Sequence, residues 1–372
     1  MRQQINILQF TPYFPPHKGW LETVAEEIAD YWTKKQYWEV INITFDVWQI
    51  NNTNYSQKWY KVYLLPSFDI IPNFPVPKFW KNEFWLIFKE LKKYISKNEN
   101  IRIISHTRFF LSSFIAWLFA RRYWIKWIHI EHGSDYVKLS SKFKSKISYI
   151  YDKIIWKWIF KKADKILAIS KACKKFIVDE FINREVEVFY RGMSFENISE
   201  NANKQGNIQF IFIWRLVTLK GVSDIINAYK KWKFTNKLVI IWDGEEKNNL
   251  QNISDWCNIE FLWFKDKDFI YKYLQENNCI VINPSYQEWM PTTVLEALMN
   301  RCPVVATNVW WTSEISNGSD LKLFESGNIW ELIEKIQFSV KNYENLQWNS
   351  FFKIKEKFDR ENNIENLFNK VR

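Results

Sequence analysis

Two glutamates, Glu288 and Glu296, lie eight residues apart around the start of a predicted helix. Their segment, Glu288-Trp-Met-Pro-Thr-Thr-Val-Leu-Glu296, follows an apolar run that ends at Asn283. We expect Glu288 in the loop at the carboxyl end of a strand and Glu296 in the first helical turns. Ligands of open α/β sheets bind at that edge, and free amides at a helix N-terminus bind anions. An isolated pair at this spacing is usually two solvated charges, but the strand, loop, proline and helix around it make it specific.

Two cations, Arg215 and Lys220, follow another predicted strand that ends at Ile213. A guanidinium fork and an ammonium point charge at this spacing can converge on one diphosphate. There they would stabilise the negative charge that builds on a departing phosphate group. The alternative is two unconnected surface cations.

The elements that hold these residues alternate between strands and helices in both halves of the chain. Early strands are predicted at 5–10, 40–45, 101–105, 125–130 and 166–169, and later ones at 208–213, 238–241, 259–262, 280–283 and 303–306. Strands that are apolar throughout and separated by single helices indicate doubly wound parallel sheets. The predicted fold class is α/β, with two Rossmann-like domains facing a central cleft. The polar stretch 183–207 is predicted to link a domain at 1–190 to a second at 191–355, which leaves a C-terminal helix at 356–372.

The charge of the chain is concentrated in its first half. The net charge is +11, and residues 1–195 hold 31 Lys and Arg against 18 Asp and Glu. Residues 102–175 alone carry 17 basic and 4 acidic side chains, mixed with aromatic and aliphatic ones. Such a surface suits an anionic membrane or a phosphate-linked lipid, although a merely solvated face explains it too. No stretch of 18 apolar residues, signal peptide or cysteine pair is found, so a cytoplasmic protein, peripheral on the inner membrane face, is expected.

The composition has too few glycines and too many tryptophans. The 372 residues include 8 glycines and 22 tryptophans, whereas average usage predicts about 26 glycines. The deficit in glycine and the excess of tryptophan are of similar size. This coincidence gains meaning from the positions of the tryptophans.

Several segments resemble, in order, the motifs of the GT-B-fold retaining glycosyltransferases of the group 1, or family 4, class. The glutamate segment resembles their E-x7-E loop, and four further segments correspond to their glycine-rich, histidine, diphosphate and Gly-Asp-Gly motifs: Phe14–Glu22, His129–Gly133, Ile213–Gly221 and Ile241–Glu245. Val309–Glu314 resembles a Gly-Gly-x-x-Glu turn. The resemblance therefore covers nearly the whole chain, and it implies that the C-terminal helix crosses back to the first domain.

The resemblance assigns a role to each candidate residue. It implies that Glu288 and His132 line the reaction centre, and that Glu296 holds the ribose hydroxyls. The diphosphate would contact Arg215, Lys220, Gly19 and Trp20, and the sugar and nucleotide would contact Met290, Pro291, Thr292, Thr293 and Phe264. No cofactor is expected, since the nucleotide-sugar is a substrate.

Two further features of the sequence are candidate sites. Among the four histidines, His106 is a weaker candidate for the acceptor site, because a lone histidine is more often a polar core residue. Asp266-Lys-Asp268 could suggest a metal-dependent transferase of another fold, but its place at a helix start is better explained by capping. No metal is expected.

Tryptophan stands at most places where the family pattern has glycine. These positions are Trp20, Trp214, Trp242, Trp263, Trp289, Trp310 and Trp311. Such turns need a positive φ or an unobstructed approach of the backbone to phosphate and sugar, and tryptophan offers neither. We interpret these residues as UGA codons that the source organism translates as glycine. The alternative is a degenerate paralogue with a closed donor site. Trp127, in an apolar strand, is expected to be a genuine tryptophan.

The predicted function is transfer of a sugar from a UDP or GDP carrier to a glycan or lipid-linked acceptor, in cell-envelope polysaccharide or glycolipid synthesis. The alternatives are an inactive pseudo-glycosyltransferase, a basic adaptor for membranes or nucleic acid, and a sugar-nucleotide epimerase. Nucleic acid is not an expected partner, because an adaptor explains the charge but not the four charged site residues. A nicotinamide-dependent dehydrogenase is excluded, since no G-x-G-x-x-G follows the first strand.

Overall fold

The chain is divided into two compact units in its computed structural model. The structure describes residues 5–17, 19–35, 38–47, 54–57, 60–71, 74–137, 142–196, 198, 203–254, 258–286, 292–309, 312–315 and 321–372. The N-terminal unit comprises residues 1–191 and 361–372, and the C-terminal unit comprises residues 192–360. The first boundary lies after residue 191, one residue beyond the predicted position, and the second lies after residue 360, five residues beyond the predicted position.

The N-terminal unit contains nine strands and six helices among its described residues before the chain enters the second unit. The strands are β1 (Ile5–Phe10), β2 (Trp38–Asp46), β3 (Asn54–Gln57), β4 (Tyr60–Ile71), β5 (Phe74–Pro77), β6 (Ile101–His106), β7 (Lys126–Glu131), β8 (Lys165–Ala168) and β9 (Glu187–Val188). The helices are α1 (Trp20–Lys34), α2 (Asn82–Ile95), α3 (Leu111–Tyr123), α4 (Lys142–Tyr151), α5 (Lys157–Phe160) and α6 (Lys171–Glu180). A π-helical turn, Asp152–Trp156, joins α4 to α5.

The sheet of the N-terminal unit is doubly wound. Its strand order is β3-β4-β2-β1-β6-β7-β8-β9, with β5 paired to β4. All pairs are parallel except β3 with β4 and β4 with β5. The chain runs outward from β1 to one side and then returns to β6 on the other, which creates a topological switch point between β1 and β6.

Both faces of this sheet are buried, as the apolar strand runs require. Within β1, Ile5 and Ile7 belong to one core cluster, and Leu8 and Phe10 belong to the other. The predicted apolar face of α1 is confirmed, since Leu21, Val24, Ala25, Ile28 and Ala29 are all buried. Alternation along a strand and the 3.6-residue period along a helix give these two patterns.

The C-terminal unit contains an all-parallel sheet in its described residues. Its strands are β10 (Gln205–Ile213), β11 (Leu238–Ile241), β12 (Ile259–Phe261), β13 (Asn277–Asn283), β14 (Val304–Thr307) and β15 (Leu321–Phe324). The helices are α7 (Val222–Trp232), α8 (Lys247–Ile253), α9 (Lys267–Glu276), α10 (Thr292–Met299), α11 (Thr312–Ile315), α12 (Ile329–Lys341) and α13 (Tyr343–Phe358). The strand order β12-β11-β10-β13-β14-β15 is that of a dinucleotide-binding fold, and its switch point lies between β10 and β13.

The last helix, α14 (Arg360–Val371), belongs to the N-terminal unit. Its residues Ile364, Leu367, Phe368 and Val371 are part of the core cluster that also contains Trp32 and Trp38. The rings of Phe368 and Trp38 are stacked with centroids 4.4 Å apart. Trp32 Nε1 donates a hydrogen bond of 3.4 Å to the carbonyl of Ile364.

The predicted linker at 183–207 needs correction. Glu187–Val188 form β9 beside β8, and β10 already begins at Gln205. The side chains of this two-residue strand are only partly buried, so no apolar run in the sequence predicts it. Among the helices that the structure describes, none is both long and apolar enough to cross a membrane.

Candidate active site

The loops at the switch point of the C-terminal unit are fastened to one another. The loop after β10 ends at Gly221, whose φ is +64°, and a Cβ there would lie 2.3 Å from the carbonyl oxygen of Pro284, just after β13. Only glycine fits this close approach. The amide of Tyr286 also donates a hydrogen bond of 2.9 Å to the carbonyl of Leu219. The loops after β10 and β13 therefore form one edge, where ligands of this sheet type bind.

The two predicted diphosphate cations lie on the loop after β10. Arg215 is exposed, and its neighbour Leu216 is buried. The Leu216 backbone is anchored to the turn after β11, with bonds of 3.1 Å from its amide to the carbonyl of Asp243 and 3.0 Å from the amide of Glu246. Lys220 ends the 3₁₀ turn Thr218–Lys220. A loop held by these backbone hydrogen bonds thus presents a guanidinium and an ammonium group within six residues.

Aromatic side chains form a row along the same edge. Lys220 Nζ lies 5.0 Å from the ring centroid of Trp214, and the centroids of Trp214 and Trp242 are 6.4 Å apart. Trp242 in turn meets Phe264 edge to face at 4.8 Å. We call Trp214, Trp242 and Phe264 the aromatic row. The structure thus brings together four residues that the sequence analysis selected separately.

Two of the selected tryptophans have a backbone conformation that favours glycine. Trp242 follows β11 with a φ of 140°, and Trp263 lies just beyond β12 with a φ of 41°. Residues other than glycine rarely adopt a positive φ, and for a bulky residue this backbone conformation is strained. The indole of Trp263 is covered by Lys247 Nζ at 3.7 Å from the ring centroid.

Glu296 lies in α10 and is held by side chains from α9. Its Oε1 accepts a hydrogen bond of 3.3 Å from the hydroxyl of Tyr271 and lies 3.4 Å from Lys267 Nζ. Sequence reasoning did not select Tyr271 or Lys267, because they come from a different helix some 25 residues earlier. Thr292 is the first residue of α10, and Thr293 is buried in it.

Some selected residues are not part of the described chain. Glu288, Trp289, Met290, Pro291, Trp310 and Trp311 lie outside the described residues, as does the side chain of Trp20. Gly19 has extended backbone with a φ of −169° and precedes α1. A Cβ on Gly19 would lie 2.4 Å from the carboxylate of Glu22, which pairs with His17 Nδ1.

Asp266 caps α9, as expected from its position. Its Oδ1 accepts a hydrogen bond of 2.8 Å from the amide of Phe269. Across the part of the chain that the structure describes, no three His, Cys, Asp or Glu side chains are grouped so that they could hold a metal ion.

In the N-terminal unit, Glu131 organises the loop that carries His132. Its carboxylate accepts hydrogen bonds from the amides of His132 at 3.0 Å and Gly133 at 2.7 Å. It also accepts from Arg108, through the amide and through Nη1, each at 3.0 Å. Burial alone would raise the pKa of Glu131, but Arg108, His129 and the Gly133 amide lower it to about 2.

Arg108 joins Glu131 to a second buried carboxylate. Its Nε donates to Asp152 Oδ2 at 3.2 Å, and all three side chains are almost completely buried. Burial raises the pKa of Asp152 to about 6, against the opposing effect of Arg108. No sequence signal selected this triad, because Arg108 and Asp152 are 44 residues apart and each looks like an ordinary charge.

His132 contacts the other candidate histidine. His106 Nδ1 and His132 Nε2 are 3.0 Å apart, and His106 Nε2 lies 3.3 Å from Gln9 Oε1. Burial lowers the pKa of His132 to about 3, and burial together with His132 and His129 lowers that of His106 well below its usual range. His129 instead bonds Ser105 Oγ at 2.8 Å and Glu131 Oε2 at 3.1 Å, as a polar core residue.

The architecture and these sites define a class of protein. Sucrose-phosphate synthase from Thermosynechococcus elongatus has a similar structure, with a TM-score of 0.72, 14% identity, and coverage of 99% of this chain and 98% of that one. A glycosyltransferase from Rickettsia africae gives a TM-score of 0.71 at 18% identity, covering 99% and 98% of the two chains. The HepE protein of Anabaena in complex with UDP gives 0.68 at 13% identity, covering 99% of each chain. The fold is that of the GT-B glycosyltransferases, with two Rossmann-like domains.

Sequence comparison gives the family. Residues 194–349 match the family described as glycosyl transferases group 1, and residues 21–197 match that described as glycosyltransferase family 4. The uncharacterized glycosyltransferase MJ1069 of Methanocaldococcus jannaschii is 30% identical over 395 residues, covering 96% of this chain and 99% of that protein. The chain belongs to the group 1 glycosyltransferases.

Proposed function

We propose that the protein transfers a sugar, with retention of anomeric configuration, from a UDP- or GDP-linked donor to a glycan or lipid-linked acceptor. The single observation that carries the proposal is the loop after β10, which presents Arg215 and Lys220 at the switch point of the C-terminal sheet. The similar HepE protein has been solved in complex with UDP-glucose. Another similar structure is a lipopolysaccharide outer core galactosyltransferase, which supports a role in the cell envelope.

In this proposal the C-terminal unit holds the donor. Arg215 and Lys220 neutralise its diphosphate, and Phe264 flanks the base. Gly19 and Trp20 stay predictions from the family resemblance. Glu296 accepts hydrogen bonds from the ribose hydroxyls, and its contacts with Tyr271 and Lys267 fix its carboxylate in place. The sugar is held by Glu288, Met290, Pro291, Thr292 and Thr293. His132 stays a prediction from the family resemblance.

The chemical step in this proposal needs no metal and no covalent enzyme intermediate. The carbon–oxygen bond to the diphosphate breaks, and the two cations stabilise the charge of the leaving group. The acceptor hydroxyl attacks the same face of the sugar and passes its proton to a donor phosphate oxygen. Glu288 stabilises the positive charge on the sugar carbon.

We further propose that the native protein has glycine at the seven tryptophan positions named above. The positive φ of Trp242 and Trp263 supports this, because glycine adopts such backbone without strain. The aromatic row supports it as well, since the indoles of Trp214 and Trp242 fill the space between Lys220 and Phe264. With glycine at both positions that space is open to a nucleotide. With tryptophan in the native protein, the same row would close the donor site and favour a pseudo-glycosyltransferase.

The proposal predicts a specific loss of activity. In protein with the seven positions changed to glycine, Arg215→Ala and Lys220→Ala should each lower turnover of the nucleotide-sugar by about a hundredfold, the scale for losing one charge-stabilising group. Turnover is measured as release of UDP or GDP with and without a chelator, and the chelator should have no effect.

Lys237→Ala is a matched control, because Lys237 precedes β11 at the opposite, amino-terminal edge of the sheet and pairs with Glu260. It should keep full activity. Unchanged turnover in both site variants would refute the diphosphate assignment. Codon identity and the mass of the native protein decide the glycine question independently.

We also propose that the N-terminal unit docks on an anionic membrane. The continuous helical segment from α4 through α5 exposes Ile150, Ile154 and Trp158 at helical spacing. Lys146, Lys157 and Lys161 are exposed on the same segment. Apolar side chains flanked by lysines are typical of helices that lie in the interface of an anionic bilayer.

A further inference from the structure

Three strand ends of the N-terminal unit contribute a buried chain of polar side chains. Gln9 comes from β1, His106 ends β6, and His132 follows β7. Their contacts run from Gln9 Oε1 to His106 Nε2 at 3.3 Å, and from His106 Nδ1 to His132 Nε2 at 3.0 Å. All three side chains are at most 5% exposed.

The orientation of the Gln9 amide is fixed by its other partners. Its Nε2 donates to the carbonyl of Ala25 at 2.9 Å and to Asn42 Oδ1 at 2.7 Å. A backbone carbonyl can only accept, so the atom that faces it must be the amide nitrogen, and both of its hydrogens are used. The atom that faces His106 is therefore the oxygen, which can only accept.

This orientation determines where each imidazole carries its proton. His106 Nε2 must donate to Gln9, and a neutral ring has one N–H, so His106 Nδ1 carries a lone pair. His132 Nε2 must then donate to His106 Nδ1. Both rings are neutral near pH 7, because burial lowers the pKa of each. Of the charged groups near His132, Glu131 opposes this effect and Arg191 reinforces it.

We propose that Gln9 and His106 are positioning residues that hold His132 as its neutral Nε2–H tautomer, with Nδ1 restricted to accepting hydrogen bonds. The tautomer itself depends only on the contacts above. Its consequence for catalysis rests on the proposed function: in this tautomer His132 cannot donate a proton through Nδ1.

The test is the tautomeric state of the histidines in the full-length protein. Nitrogen-15 labelling of histidine and long-range proton–nitrogen correlation at pH 7.5 should show both His106 and His132 with protonated Nε2 and unprotonated Nδ1. The chain has four histidines, so single substitutions assign the signals. A His132 signal from the Nδ1–H tautomer or from an imidazolium would overturn the proposal.

A variant of Gln9 distinguishes the effect of the hydrogen-bonded chain Gln9–His106–His132 from that of general packing. Gln9→Met removes the acceptor for His106, so both rings should populate mixed tautomers, and kcat of the glycine-restored enzyme should fall about tenfold, the scale for one hydrogen bond. Ser105→Ala is the control, since Ser105 bonds His129 and leaves the His132 signal unchanged. Unaltered tautomers in Gln9→Met would overturn the role of Gln9. Expected tautomers without any sugar transfer would instead count against the proposed function alone.

Discussion

At the scale of single residues, the interior of the N-terminal unit combines paired charges with neutral histidines. Arg108 lies between two buried carboxylates and holds one of them, Glu131, ionised. His106 and His132 lose their charge on burial. A buried charge is costly unless it is paired, so the two histidines remain neutral while Arg108 pairs with both carboxylates.

These states predict that the protein loses stability in mild acid. In the unfolded chain the histidines take up protons below pH 6.5, whereas in the folded chain they stay neutral to lower pH. Folding stability is therefore fully present above pH 6.5 and falls as the pH falls, by up to about 1.4 kcal/mol per unit for each histidine. Asp152 has the opposite sign between its unfolded pKa of 3.8 and its folded value of about 6, and offsets one histidine there.

Urea unfolding from pH 5 to 7.5 measures this effect. The urea concentration at the unfolding midpoint should decrease as the pH is lowered. This dependence on pH should be weaker in a double variant with His106→Asn and His132→Asn. An equal dependence of the midpoint on pH in the two proteins would contradict the neutral state of His106 and His132.

The limits of sequence reasoning are also clear at this scale. Arg215 and Lys220 were recognisable because they follow β10, whose apolar end leads to the ligand edge of the sheet. Phe264 follows the partly buried strand β12 and was selected only through the family resemblance. The Arg108 triad was not recognisable, because its members become neighbours only through the packing of β6, β7 and the π-helical turn. Local patterns predict elements, whereas these contacts depend on the tertiary fold.

At the scale of elements, the same limits apply to the ends of helices and strands. The strand–helix alternation of the C-terminal unit was predictable from β10 to β14, since each of these strands contains a short apolar run, but the sixth strand, β15, was not predicted. Strand β9 has no such run, and its pairing to β8 depends on the rest of the sheet. The end of α3 shows a further effect that the sequence did not reveal.

Helix α3 ends on a tryptophan in the left-handed conformation. Trp124 has φ 56° and ψ 38°, and its amide bonds the carbonyl of Ala120. Its side chain is 89% exposed. Glycine is the residue that usually ends a helix in this way. Among the described residues, three of the seven non-glycine positions with positive φ are tryptophans: Trp124, Trp242 and Trp263. We therefore propose Trp124 as an eighth position that has glycine in the native protein.

We expect Trp124→Gly to stabilise the protein by about 1 kcal/mol, since left-handed backbone costs other residues roughly that much. The midpoint of urea unfolding measures the change. Trp127→Gly, three residues further on, is the matched control. Its side chain is buried in the core, and its Nε1 donates to Ser105 Oγ at 2.9 Å.

Loss of the buried Trp127 indole should destabilise the protein by roughly 3–5 kcal/mol. Equal effects of the two substitutions would contradict the distinction between a genuine tryptophan and a glycine position.

At the scale of the whole molecule, the proposed membrane surface predicts salt-dependent binding. Lysines near an anionic bilayer contribute about 1 kcal/mol each, and the attraction fades over about 10 Å at 0.1 M salt. The full chain should sediment with anionic vesicles at low salt and be released at high salt, with little affinity for neutral vesicles. Ile154→Asp should weaken binding at every salt concentration, because it places a charge in the apolar stripe.

Trp330→Asp is the control, since Trp330 is 61% exposed but lies in the C-terminal unit. It should bind like the parent protein. Binding that is unchanged in Ile154→Asp would refute the docking helix. Preference for nucleic acid over vesicles would instead revive the adaptor interpretation.

The position of α14 gives the molecule an order of assembly. During synthesis, domains generally fold as they emerge, starting with the N-terminal one. Here the N-terminal unit receives its final helix only after the entire C-terminal unit has been translated. Until then, the core surface around Trp32 and Trp38 lacks Phe368 and its neighbours. The N-terminal unit is thus translated first but completed last. A nascent chain interrupted inside the second unit would expose this hydrophobic surface, which chaperones can recognise.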